Sequence, residues 1–96
     1  MSIDSNMVMR QIGAKISYWR ILFGISQSDL AKRCNMSKST IAKIECGNYN
    51  NNISMMSLIN IAEALGVDFT VLITFNDCER KMWENTVVAA KNADEV

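Results

Sequence analysis

Residues 26–47, SQSDLAKRCNMSKSTIAKIECG, read as two short helices joined by a tight turn. Ser26 can N-cap the first, its hydroxyl accepting from backbone N–H groups that lack a partner inside the helix. Asp29, three residues on, completes an S-x-x-D capping pattern and puts negative charge in the first turn, where the helix dipole favours it. Leu30, Ala31 and Cys34 form one apolar stripe, with Ala31 small enough to let a second helix cross close by. Asn35 tolerates the left-handed conformation that a tight helix-to-helix turn requires. Met36 is an apolar plug and Ser37 a second N-cap. Ile41 and Ile44 make the buried edge of the second helix, which Gly47 ends. Lys38, Ser39, Thr40, Ala42 and Lys43 point away from that edge; they are short or cationic, with no carboxylate among them.

These residues resemble the helix-turn-helix of the lambda-repressor-like, Cro/CI-type family, also called the xenobiotic-response-element family. The resemblance runs without a gap over roughly residues 10–68. Ile12-Gly13, Ile16, Trp19 and Arg20 resemble the family's first helix, and Gly24-Ile25-Ser26-Gln27 the start of its second. Met55, Leu58, Ile61-Ala62 and Leu65-Gly66-Val67 resemble its fourth. Asn35 departs from the family's usual glycine. The resemblance implies a DNA-binding domain in which Gln27, Lys38, Ser39 and Lys43 occupy contact positions. It also implies that Arg20 and Glu45 form a salt bridge tying the first helix to the end of the reading helix. The loop that holds Asn50 and Asn52 is one the family uses to donate to phosphates; a turn-rich linker is the alternative.

The chemistry agrees. An α-helix fits the major groove, where base edges display distinct donor and acceptor patterns, and helix-turn-helix proteins read them mainly with N-terminal residues of the second helix. Ser37, Lys38, Ser39 and Thr40 lie at that start, and Lys43 can reach a base or a phosphate further along. Gln27 would grip a phosphate from a helix N-terminus. In isolation Lys38 and Lys43 would read as a solvated helix face; the motif around them favours contact.

The 96 residues suffice for one modest core, and the 49% hydrophobic fraction is ordinary for a globular chain. Net charge is zero but unevenly spread: residues 1–50 hold seven Lys/Arg against three Asp/Glu, and residues 51–96 three against seven. A basic half with an acidic remainder suits a small DNA binder. The three widely spaced cysteines argue against a disulfide framework, and the absence of histidine and of C-x-x-C argues against a zinc site. No catalytic constellation, cofactor motif, signal peptide or membrane-spanning run is evident, so a non-enzymatic cytoplasmic protein is expected.

Helices are expected near 6–23, 27–34, 38–46 and 55–64, the last capped by Ser54, with Gly24, Gly47 and Gly66 at helix ends. After Val67 the period changes. Phe69, Val71, Ile73 and Phe75 alternate with Thr70, Leu72 and Thr74, which predicts a β-strand. A lone strand needs a partner for its backbone groups. The same strand of a second copy would supply one, giving a homodimer that resembles HipB-like antitoxins. The alternative is a fifth helix that dimerises by packing. From Asp77 onward the choice lies between a helix capped by Asp77, with Met82, Trp83, Val87 and Ala90 on one face, and a partly ordered tail with Trp83 tucked back onto the dimer.

The expected fold is therefore mainly α: a four- to five-helix lambda-repressor-like domain over 1–67, continuous with a dimerisation strand and tail over 68–96. The expected function is a sequence-specific transcriptional regulator, a homodimeric repressor on a palindromic operator of double-stranded DNA. An antitoxin with a cognate toxin partner is the strongest variant, and a phage-type or restriction-controller repressor is equally compatible with the size. The rival is a protein-interaction module that keeps the fold without binding DNA, for which carboxylates on the reading helix would be the sign.

Overall fold

A computed structural model describes residues 3–48 and 53–84, which form α1 (Ser5–Leu22), α2 (Gln27–Cys34), α3 (Lys38–Cys46), α4 (Met55–Leu65), α5 (Thr70–Ile73) and a sixth helix, α6, over 77–84. The first four fall within a residue of their expected ends because each start is written locally. The side chains of Asp4, Ser26, Ser37 and Ser54 all accept from first-turn N–H groups. Asn35 ends α2 in the left-handed conformation (φ 58°, ψ 43°), and Met36 N–H donates to Ala31 O at 2.8 Å, closing the turn.

The core is one cluster: Ile12 and Ile16 of α1, Leu30, Ala31 and Cys34 of α2, Ile41 and Ile44 of α3, Leu58, Ile61, Ala62 and Leu65 of α4, and Leu72 of α5. Burial pushes the Cys34 thiol above its ordinary value, and Cys34, Cys46 and Cys78 are all free. The tightest crossing is between α1 and α3. A Cβ at Gly13 would lie 2.2 Å from Ile44 O and 2.8 Å from Glu45 O, so only glycine admits this approach.

The expected strand over Phe69–Phe75 is not formed. Thr70–Ile73 make one helical turn, followed by extended backbone at Thr74, and no strand is present among the described residues. Three features favour the turn. Asp68 accepts from Thr70 N–H at 2.9 Å and from its hydroxyl at 2.7 Å. Val71 and Leu72 N–H find local carbonyls, of Asp68 and Phe69, so no second strand is needed. Leu72, which the alternation placed on the opposite face from Phe69, Val71, Ile73 and Phe75, is fully buried while those four are partly buried around the core. A helical turn buries Leu72 together with those four and leaves Thr70 and Thr74 exposed. The strand pairing that would have joined two copies goes with the strand.

Beyond α5 the chain returns to α1. Asn76 rather than Asp77 caps α6: its side chain accepts from Glu79 N–H at 2.7 Å while the Glu79 carboxylate accepts from Asn76 N–H at 2.9 Å, a reciprocal capping box. Trp83 tucks back onto its own chain. Its indole N–H donates to Gln11 Oε1 at 2.7 Å and its ring meets Phe75 edge-on at 5.2 Å. Gln11 Nε2 donates to Glu79 O at 3.0 Å, and Lys15 Nζ lies 2.6 Å from the Glu79 carboxylate. Val87 and Ala90 lie outside the described residues.

Two outcomes follow. Leu72→Ala should cost about 2–5 kcal/mol of stability by chemical denaturation; a change under about 0.5 kcal/mol would mean Leu72 faces outward. Glu79 supplies a pH dependence. Partial desolvation raises its carboxyl, but hydrogen bonds from Lys15 and the Asn76 N–H, with the charges of Lys15 and Arg80, outweigh that and hold it below the ordinary value. A depressed folded-state pKa stabilises above the unfolded value and is lost as pH falls through the folded one. Docking of α6, followed by Trp fluorescence, should therefore weaken on acidification below the ordinary carboxylate range, and Glu79→Gln should remove that acid component.

Candidate nucleic-acid interface

α3 is divided lengthwise. Ile41 and Ile44, each 1% exposed, anchor it, while Lys38, Ser39 and Lys43 are exposed and Thr40 and Ala42 half-buried. The outward face carries two cations, a hydroxyl and no carboxylate. Ser37 accepts from Thr40 N–H at 3.0 Å, and the Ser37 and Thr40 hydroxyls lie 2.8 Å apart. Both therefore work in the cap, fixing the helix start on which Lys38 and Ser39 sit; a hydroxyl pair of this kind still has acceptor capacity for a ligand. The N-terminal end of α3 adds partial positive charge where Lys38 stands.

Glu45, at the other end of α3, has only 5% of its side chain exposed, and Arg20 has 14%. Arg20 Nε donates to Glu45 Oε2 at 2.7 Å and Nη2 to Oε1 at 3.0 Å, a two-pronged contact between α1 and α3. The third guanidinium nitrogen, Nη1, donates to Ile25 O at 2.9 Å in the turn before α2. The hydrogen bond to Glu45 and its charge, against a smaller loss from desolvation, push the Arg20 pKa up, so it remains a cation.

Gln27 was expected on the DNA side alone. It is half-buried at the first position of α2, and its Nε2 donates to Glu45 Oε1 at 3.1 Å. No spacing signal marks this contact across 18 residues. The arrangement thus brings Gln27, Arg20 and Glu45 together and leaves Lys38, Ser39 and Lys43 free on the surface. Phe69, Val71, Ile73 and Phe75 pack against the chain's own core. Asn50 and Asn52 lie outside the described residues. Among those described, no group of three or more Cys, Asp or Glu is placed to hold a metal, and no helix is long and apolar enough to cross a membrane.

A partly buried pair fixes geometry more than it adds stability, and removing one partner leaves the other charge uncompensated. Glu45→Ala should lower the melting temperature and loosen DNA affinity by misorienting α3. Unchanged melting and unchanged binding together would exclude this role.

A helix-turn-helix family model matches residues 16–72. An uncharacterized HTH-type transcriptional regulator of Methanocaldococcus jannaschii is 34% identical over 65 residues, spanning 68% of this chain and 96% of that one. Among solved structures, the restriction-modification controller protein C.AhdI from Aeromonas hydrophila superposes with a TM-score of 0.63 at 25% identity, covering 67% of this chain and 94% of that one. A hypothetical transcription factor, NHTF, from Neisseria shares the fold with a TM-score of 0.65 at 23% identity, covering 85% and 93%. With α3 capped and cationic on its outward face, and with a relative named as a transcriptional regulator, the chain belongs to the Cro/CI-type helix-turn-helix family and is a DNA-binding transcriptional regulator.

Proposed function

We propose that the protein is a repressor that binds a palindromic operator as a homodimer. Lys38 and Ser39 read base edges, Lys43 reaches a base or phosphate, and Ser37, Thr40 and Gln27, with Asn50 and Asn52, hold the backbone. The observation that carries this reading is the outward face of α3, where Lys38, Ser39 and Lys43 are exposed and no carboxylate stands beside them. A protein-interaction module on the same fold has no need of such a face.

The homodimer rests on the geometry of duplex DNA. Two reading helices about 34 Å apart address successive major grooves on one face. No strand over Phe69–Phe75 is assigned to the pairing, because Thr70–Ile73 form a helical turn. The strand was also what suggested an antitoxin, and without it a toxin partner has no support from the fold.

Selection of bound sequences from random duplexes tests binding, palindromy and half-site spacing together. On the selected site, log affinity should fall steeply and linearly with log salt, by about 0.9 per phosphate neutralised. Lys38→Ala should relax preference at one position of each half-site by roughly 5- to 150-fold, the equivalent of about 1–3 kcal/mol. A flat salt dependence, or a monomer in sedimentation at micromolar concentration, would overturn the proposal.

A further inference from the structure

We propose that Glu45 is a positioning residue for Gln27, holding the side-chain amide at the start of α2 in a fixed pose from which its second N–H engages a DNA phosphate. The proposal rests on the regulatory reading above and adds a residue that touches no DNA but sets one that does. The geometry is specific. Glu45 Oε1 takes Arg20 Nη2 at 3.0 Å and Gln27 Nε2 at 3.1 Å, while Oε2 takes Arg20 Nε at 2.7 Å. A carboxylate has about four acceptor sites, so three donors leave it well satisfied in a place where only 5% of its side chain meets water. Arg20 neutralises it, which matters because a bare carboxylate this close would repel the phosphate.

Gln27 makes no other side-chain hydrogen bond among the described residues. Its Nε2 carries two hydrogens, and one is used. The second hydrogen and the amide oxygen remain, fixed in direction by the first bond. A free glutamine at a helix start samples many rotamers and would lose that freedom on gripping a phosphate. Gln27 has lost it already, through Glu45, so the contact forms from a prepared donor. The same carboxylate therefore sets the angle of α3 through Arg20 and the phosphate grip of α2 through Gln27, and both register on the duplex at once.

The test is a coupling measurement on the selected duplex. Because Gln27 is neutral, Gln27→Ala should weaken binding by roughly 10-fold while leaving the log–log salt slope unchanged, since no counterion release is lost. The pair is then replaced as a unit, Arg20→Met with Glu45→Met, which removes the acceptor without stranding a charge. In that background Gln27→Ala should cost under about twofold, a non-additivity expected of residues in one network. Equal losses in both backgrounds, or a changed slope for Gln27→Ala, would overturn the proposal. If the paired variant does not fold, relaxation of the Gln27 side-chain amide in the unbound wild type decides. It should be nearly as rigid as the helix backbone, and an order parameter below about 0.6 would overturn the proposal. A wild type that binds no duplex at any salt would instead sink the regulatory reading, and this inference with it, whatever the amide does.

Discussion

A carboxylate almost wholly withdrawn from water is tolerable only when every bond it gave up is replaced. Glu45 is in that position, and the segments that replace its bonds are the ones that make the motif work. Arg20 comes from the far end of α1 and Gln27 from the first residue of α2. Arg20 in turn holds Ile25 O in the link between those helices. Three helices and one turn are thereby tied at a point, while the apolar core beneath supplies the cohesion. The core would tolerate small rotations of α3 about its own axis; the bidentate contact does not. What the pair contributes is angle, and angle decides which side chains of α3 face outward.

The N-terminal two thirds were legible from sequence because their signals are local. Serine or aspartate at each start and Asn35 or a glycine at the ends determine where a helix begins and stops, independently of distant residues. Past Val67 the local signals conflict. Phe69, Val71, Ile73 and Phe75 alternate as a strand would, but period two has meaning only when one face is polar, and Leu72 on the other face is fully buried. One helical turn, held at its start by Asp68, buries Leu72 together with its apolar neighbours and leaves Thr70 and Thr74 exposed. A helix past Asp77 was legible as one of two alternatives, but its docking on α1 was not. The bond between Trp83 and Gln11 spans 72 residues, and no spacing rule connects two such positions.

The site divides in the same way. The exposure of Lys38, Ser39 and Lys43 follows from the positions of Ile41 and Ile44, which three- and four-residue spacing reveals. The link from Glu45 to Gln27 does not, because it depends on how α2 and α3 cross. That crossing is set by Ala31, by the left-handed Asn35, and by how near α1 can come.

The approach of α1 has a consequence for how the protein meets its ligand. At Gly13 the backbone of α1 lies against the Ile44 and Glu45 carbonyls with no side chain between. Two backbones in contact cannot slide or tilt past one another as two layers of side chains can, since there are no rotamers to absorb the motion. The contact between α1 and α3 therefore has little in it to absorb a change of angle. With so little give between α1 and α3, adjustment to an imperfect groove would fall on the duplex. Sequences that deform easily near the contact gain an advantage even at base pairs that no side chain touches. A glycine on α1 thus bears on how α3 can be presented to a duplex, by leaving no side chain to yield.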